Sequence, residues 1–419
     1  MIRRSASLTQ ESGDMFSYLK EYFDFRACII CIALVIVGLM SIYSATFDIN
    51  NAANFYRQSL WAGMGFIVML ITAFIPLRTV QRLSFAFYFT TLAILAMVLV
   101  VGSTIKGSKS WFGIGGIGGQ PSEFAKIATV LAFASYLSKT DVSISQIKHL
   151  AIALCIFAVP MFLILVEPDL GTTVVFFVTL LPLLYWAGVS NFILIAILVP
   201  ILVALGALLG TAQFLIASIL GATLLYVFRE NRFAVAVAFG IALAIGLSVQ
   251  IVYAHMHVYQ QKRITTFLNP EADQLGAGYN VVQSKIAIGS GGFMGKGFLK
   301  GTQTQLNYIP EQWTDFIFCV QGEEFGFLGA SIVLSLFASL SLHGLRVANM
   351  SKNKFGSLSA IGVTGILTTH AIINTGMAMG VMPVIGLPLP FMSYGGSALI
   401  ANMMIVGLLM NFYANRKEY

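Results

Sequence analysis

Tyr308-Ile-Pro-Glu-Gln-Trp-Thr-Asp-Phe316 ends the hydrophilic stretch 254–315, and from Phe316 onward the chain is apolar. The change of character sets Asp315 at a membrane boundary. A carboxylate there packs poorly but can do chemistry, because it can meet a lipid-linked molecule while its own charge stays hydrated.

Outward from this junction the composition agrees. Of 419 residues, 58% are hydrophobic and 10% charged, which excludes a water-soluble globule of ordinary make-up. A helix needs about 20 mostly apolar residues to cross the hydrocarbon. Runs of that kind occupy 26–46, 57–77, 83–102, 121–138, 148–166, 170–187, 191–210, 212–228, 233–253, 316–342, 357–380 and 393–414. They predict an all-α polytopic membrane protein of about twelve transmembrane helices. Its parts are a tail at 1–25, nine spans over 26–253, one large extracytoplasmic loop at 254–315, three spans over 316–414 and a tail at 415–419. The run at 212–228 is short and contains Gly221, so the topology hangs on it most.

With the N-terminus assigned to the cytoplasm, fifteen Lys and Arg fall in the inner segments and three, Arg57, Lys106 and Lys109, in the short outer connections. Five more, Lys262, Arg263, Lys285, Lys296 and Lys300, lie in the long loop. Basic residues near helix ends are retained on the cytoplasmic side, so both termini are expected inside and Asp315 outside. The net charge of +7 is then an orientation signal, not affinity for nucleic acid. The first 25 residues mix Glu11, Asp14, Glu21 and Asp24 with Arg3, Arg4 and Lys20, unlike a secretory leader. Met15, Phe16, Leu19, Tyr22 and Phe23 recur there at helical spacing, as in an interfacial helix or a partly ordered tail. Cys28, Cys31, Cys155 and Cys319 fall in or beside apolar runs, where thiols act as small hydrophobes. His255 and His257 have no third ligand nearby and are expected at the surface.

Polar groups inside the apolar runs carry more information. In Gln120-Pro-Ser-Glu-Phe-Ala-Lys126, Pro121 suits the first helical position, and Glu123 and Lys126 share a face at i, i+3. Charge at membrane depth is costly, so these two are expected to pair or to line a water-filled cavity. In Glu167-Pro-Asp-Leu-Gly-Thr172, Asp169 is a natural N-cap for a helix starting at Leu170. Glu323 and Glu324, two turns beyond Asp315, are expected either to have a functional role or to pair with polar groups such as Asn374 or His370. Gly289-Ser-Gly-Gly-Phe-Met-Gly-Lys-Gly297 lacks the spacing of a dinucleotide fingerprint and reads as loop backbone able to approach a ligand closely. Pro383, Pro388 and Pro390 cannot continue a helix, yet Met382 to Ser397 is too apolar for full exposure. A broken segment beside an outward cavity is expected, feeding a helix that begins near Ser393, with Ser393, Gly395, Gly396 and Ser397 placed to receive a phosphate at its N-terminal end.

Together with Gly276-Ala-Gly-Tyr279, Gln283-Ser284, Ala287-Ile-Gly-Ser-Gly-Gly292, Ile309-Pro-Glu311, Thr314-Asp-Phe-Ile-Phe318 and Pro390-Phe-Met-Ser-Tyr-Gly-Gly-Ser397, these motifs run in order from the first third of the chain to its end. The ordered set resembles the SEDS family, the shape, elongation, division and sporulation proteins that polymerise peptidoglycan from lipid II. Within it, Gly301-Thr-Gln-Thr-Gln305 resembles the rod-shape (RodA) branch more than the division (FtsW) branch. The resemblance implies a multi-pass protein of the bacterial cytoplasmic (inner) membrane with a core of ten helices, so the three runs between 191 and 253 contain an extra pair. It also implies a class B penicillin-binding protein, a transpeptidase, as partner. Two departures stand out. Gln312-Trp313 replaces a common basic residue or Ala followed by His, and Ser110 stands where Arg is frequent.

The mechanism implied by the resemblance starts from a nascent glycan on undecaprenyl pyrophosphate, attacked by the GlcNAc 4-hydroxyl of lipid II to give a β-1,4 bond with inversion. Asp315 is the expected general base, worth on the order of 10²- to 10⁴-fold. Glu123, Lys126, Glu167 and Asp169 would support the cavity, and Lys109, Lys262, Arg263, Lys285, Lys296 and Lys300 are candidates for the pyrophosphate. A divalent cation, magnesium or manganese, is an allowed companion whose ligands the sequence leaves unassigned. A flippase or transporter would also place charges along a cavity, but with paired broken helices in its two halves. A membrane scaffold, or a division-type polymerase, are the other readings.

Overall fold

The computed structural model describes residues 22–47, 52–105, 108–114, 117–229, 231–255, 261, 277–306, 308–310 and 312–418. Lys262, Arg263, His257 and the expected interfacial helix before Tyr22 lie outside the described residues. All twelve apolar runs fold as helices: α1 Phe25–Thr46, α2 Ala52–Phe74, α3 Leu77–Val101, α4 Pro121–Leu137, α5 Ile147–Val166, α6 Leu170–Trp186, α7 Asn191–Leu209, α8 Thr211–Val227 and α9 Arg232–His255 before the long loop; α12 Ile317–Met350, α13 Lys354–Ala378 and α14 Gly396–Ala414 after it. Within the loop lie α10 Ala277–Ser290 and the single turn α11 Thr302–Gln305. Among the described residues, nine helices are long and apolar enough to cross a membrane. The remaining three runs, α4, α6 and α8, are 17 residues each, at the lower limit for a span.

Local chemistry sets the helix starts. Asp24 accepts from the Ala27 N–H, Asp169 from the Thr172 N–H, Asn353 from those of Phe355 and Gly356, and Pro121 occupies the first turn of α4. Pro160, Pro182 and Pro200 sit inside helices, as membrane-embedded helices tolerate when neighbours satisfy the freed backbone.

Three features depart from the sequence expectation. First, a small antiparallel sheet, β1 Ser103–Ile105, β2 Ser108–Ile114 and β3 Ile117–Gly119 in the order β1-β2-β3, joins α3 to α4, and its backbone carries Lys109 on β2. Second, α12 runs on to Met350 and is broken at Gly326, whose φ of 64° and ψ of −158° suit glycine alone. The Gly-rich stretch fills the break. Phe327 and Leu328 donate to the carbonyls of Gly292 and Phe293 (2.9 and 3.1 Å), while the N–H groups of Lys296 and Gly297 reach the carbonyls of Glu323 and Glu324 (3.1 and 2.9 Å). A loop therefore supplies the backbone bonds that the helix loses, which is the condition for irregular backbone within a membrane protein. Third, α14 begins at Gly396 and not at Ser393.

One large apolar core runs through α1 to α6 and α12 to α14. Helices α7 to α9 enclose a small core of their own, Phe192, Val199, Val203, Leu225 and Ala242. Asp24, placed in the tail by the sequence reading, is buried at the end of α1, where its Oδ2 lies 2.5 Å from His343 Nε2 of α12.

Candidate active site

Asp315 is half-buried in the turn that leads into α12. The backbone around it is pinned from several sides. The Ser393 hydroxyl donates to the Thr314 carbonyl (2.6 Å), Tyr394 N–H donates to the Trp313 carbonyl (2.9 Å), and the Asn374 amide donates to the carbonyl of Asp315 itself (2.8 Å). Gln312, one of the departures from the family pattern, is fully buried and donates to the carbonyls of Ala45 and Thr304, 3.0 Å each. It is a spacer beneath the site. These contacts fix the backbone, and the residue as a whole is partly buried. Its Oδ2 lies 3.5 Å from where a Cβ on Gly386 would stand, so the Pro-rich segment forms the wall beside it.

That segment, irregular from Val381 to Gly395, is the broken element expected from its prolines. Proline removes donors, and the carbonyls left over need partners from elsewhere. Asn374 bonds the Leu387 carbonyl (2.7 Å) and His370 Nδ1 the Pro388 carbonyl (3.2 Å), both from α13. Gly171 at the start of α6 lies so close that a Cβ there would be 2.7 Å from the Ile385 carbonyl oxygen. Ser393 is held by the Leu389 N–H (2.8 Å) as well as by Thr314, so its hydroxyl is committed to the fold. At the start of α14 the Gly395 N–H donates to Gln58 Oε1 (3.1 Å), the Trp61 ring fills the space beside Gly396, and the Ser397 hydroxyl accepts from the Gln120 N–H (3.2 Å).

Gln120 then links the motifs. Its Nε2 donates to Asp169 Oδ2 (2.8 Å), which also takes the Thr172 hydroxyl (2.8 Å), so Asp169 caps α6 and cross-links it to α4. Glu167 beside it is buried. One turn into α4, Lys126 Nζ donates to Glu123 Oε1 at 2.9 Å, as the spacing predicts, and lies 2.6 Å from His370 Nε2. Glu123 and Lys126 are 4% and 2% exposed, which places the pair in the protein interior and not on an open cavity wall.

The basic candidates separate. Lys296 bonds Glu323 Oε1 and the Thr302 hydroxyl, 2.7 Å each, so its charge answers a buried carboxylate. Lys285 on α10 and Lys300 are exposed, and Lys285 runs alongside Gly380, where the Pro-rich segment leaves α13. Glu323 and Glu324 do not meet Asn374 or His370. Glu323 gathers the N–H groups of Gln303 and Thr304 (2.9 Å each) and the hydroxyls of Thr302 and Thr304 (3.2 and 2.7 Å); Glu324 takes the Ser44 hydroxyl and the Leu299 N–H. They anchor the returning arm of the long loop, the segment that ends in Asp315. Among the described residues no three Asp, Glu, His or Cys side chains converge as a metal site.

The Cell cycle protein family model, which covers FtsW, RodA and SpoVE, matches residues 25–216 and 193–418. The two matches overlap over 193–216, at the head of the α7 to α9 unit. The peptidoglycan glycosyltransferase MrdB of Escherichia coli strain K12 is 35% identical over 95% of this chain and 95% of its own. RodA of Treponema pallidum strain Nichols, also named a peptidoglycan glycosyltransferase, is 34% identical over 94% and 98%. Stage V sporulation protein E of Bacillus subtilis strain 168 is 32% identical over 93% and 96%. A chain from a structure described as coordinating polymerization and crosslinking in a peptidoglycan synthase complex superposes with a TM-score of 0.73, at 27% identity over 95% of this chain and 99% of that one. Thermus thermophilus RodA does so with a TM-score of 0.63, at 25% identity over 95% and 98%. With the twelve apolar helices and the ordered motifs, these likenesses show that the chain belongs to the FtsW, RodA and SpoVE family of polytopic membrane proteins.

Proposed function

We propose that the protein is a peptidoglycan glycosyltransferase of the bacterial inner membrane that polymerises lipid II, with Asp315 as general base on the extracytoplasmic face. The carrying observation is the combination at residue 315: its carbonyl and the flanking backbone are fixed by Asn374, Ser393, Tyr394 and Gln312, the residue as a whole is only partly buried, and its carboxylate lies beside the Pro-rich wall at Gly386. A base held this way can take the proton of the GlcNAc 4-hydroxyl of lipid II as that oxygen attacks the anomeric carbon of a glycan carried on undecaprenyl pyrophosphate. Positioning and proton removal are the terms such a site supplies. The leaving pyrophosphate calls for cations. Lys285 and Lys300 are exposed for that role, Lys109 stands on β2, and Lys296 is held by Glu323. A magnesium or manganese ion, if used, would supply further positive charge for the leaving pyrophosphate. The basic residues of the connections support the outward placement of Asp315 and cytoplasmic termini.

An elongation role with a class B transpeptidase partner is supported by Gly301-Thr-Gln-Thr-Gln305 and by the RodA and MrdB likenesses. A division role is the second reading, favoured by FtsW of Trichlorobacter lovleyi at 32% identity. A transporter is disfavoured because, among the described residues, the breaks at Gly326 and at 381–395 both lie in the C-terminal part and do not form a matched pair across two halves. Purified protein given labelled lipid II is expected to build lysozyme-sensitive glycan; movement of intact lipid II between leaflets without polymer would instead indicate a flippase, and neither outcome a scaffold.

A further inference from the structure

One turn of α13 joins the two charge centres of the site. His370 and Asn374 are four residues apart and share a face. Both amide protons of Asn374 are used, one on the Asp315 carbonyl (2.8 Å) and one on the Leu387 carbonyl (2.7 Å). His370 faces the next carbonyl, Pro388 O at 3.2 Å, with Nδ1, and Lys126 Nζ at 2.6 Å with Nε2. A carbonyl can only accept. Nδ1 must therefore carry the proton, and Nε2 offers a lone pair to Lys126, which donates also to Glu123. His370 is thus neutral and fixed in one tautomer. The path Glu123, Lys126, His370, Pro388, Leu387, Asn374, Asp315 is continuous, and its four side chains before Asp315 are all 4% exposed or less.

We propose that His370 and Asn374 are positioning residues, a clamp by which the buried Glu123–Lys126 pair sets the Pro-rich segment and, through it, the place of Asp315. The clamp has a physical reason to exist. Pro388 and Pro390 lack N–H groups; the segment's own backbone bonds run from Met392 and Ser393 to the Leu389 carbonyl, and side chains from α13 take the carbonyls of Leu387 and Pro388. A one-sided loss at His370 removes the imidazole donor from the Pro388 carbonyl and leaves the Lys126 ammonium with Glu123 but no imidazole acceptor, in an interior where water does not replace the lost bonds. Displacement of a reacting group by about 1 Å costs on the order of 10²-fold in rate.

The functional part of this inference rests on the polymerase reading, so the test pairs a kinetic readout with two that do not depend on it. Glutamine can donate to Pro388 through Nε2 and accept from Lys126 through Oε1; leucine can do neither. For lipid II polymerisation by the full-length protein, His370→Leu is expected to lower kcat by roughly 50- to 100-fold with KM changed less than about threefold, and His370→Gln to stay within about fivefold of wild type. Hydrogen exchange over 381–395 is expected to quicken at least about tenfold in His370→Leu and to stay protected in His370→Gln. The ¹⁵N spectrum of the wild-type histidines, assigned by difference from His370→Gln, is expected to show a protonated Nδ1 and an unprotonated Nε2, and needs no leucine variant to fold. Unchanged kcat or exchange in His370→Leu, failure of glutamine to restore them, or the opposite tautomer would overturn the clamp. If wild-type protein forms no polymer, the polymerase reading fails, while exchange and tautomer still decide whether the clamp exists.

Discussion

Glu323 is fully buried and collects five donors, a density of bonds that a carboxylate in the interior needs to offset the loss of water. Glu323→Gln removes the charge that Lys296, two Thr hydroxyls and two N–H groups are arranged around. It is expected to destabilise the protein by about 2 to 3 kcal/mol, read as a fall in the detergent melting temperature, and to lower kcat through the arm that ends in Asp315. Lys296→Met is expected to cost less, about 1 kcal/mol, because the Lys296 side chain is 26% exposed and its attraction is partly screened. Equal effects would contradict the assignment of Lys296 as a counter-charge. At this scale the position of Asp315 at the head of α12, the Asp169 cap and the Glu123–Lys126 pair were legible, because a charge beside an apolar run, a cap and an i, i+3 spacing are local signals. His370 on Lys126 was not. The two are 244 positions apart, and nothing local in the sequence prefers Lys126 to Glu323 or Glu324 as the partner of His370. Gln312 was noticed as a departure from the family pattern, but nothing local marks it as an inward-facing spacer.

At the level of elements, the break in α12 shows a structural task for a stretch of glycines. Within Gly-Gly-Phe-Met-Gly-Lys-Gly, N–H and C=O groups replace the helical bonds lost at Gly326, a role the sequence alone does not show. Gly326→Ala places a Cβ 2.3 Å from the Gly295 nitrogen on a backbone with φ of 64°. The substitution is expected to cost at least about 2 kcal/mol and to speed exchange of the Phe327 and Leu328 amides. Unchanged exchange would mean that the loop does not supply those bonds. The Pro-rich break was legible because proline forbids a helix outright. Glycine at 326 gave no comparable sign, since glycine is frequent within membrane helices, and the partners that stabilise its break come from more than thirty positions earlier, at Gly292 and Phe293.

The whole molecule divides unequally. The main core binds α1 to α6 and α12 to α14 around Asp315, and α7 to α9 form a unit with separate packing, where the family match overlaps itself. Twelve helices were legible from apolar runs alone, including the doubtful one that became α8, and nine of them are long and apolar enough to cross a membrane among the described residues. Removal of 211–255 takes out two helices and keeps the sidedness of all that follows. Such a variant is expected to retain polymerising activity within about tenfold, since it spares every group that pins Asp315; a folded but inactive variant would show that the unit takes part in turnover. The central claim, that a fixed backbone presents one carboxylate as the base, is tested most directly by Asp315→Asn. This change keeps the side-chain size and leaves the carbonyl bond to Asn374 in place. With purified lipid II and a melting temperature matching wild type, the rate of polymer formation should fall on the order of 10²- to 10⁴-fold; polymerisation at the wild-type rate would contradict it.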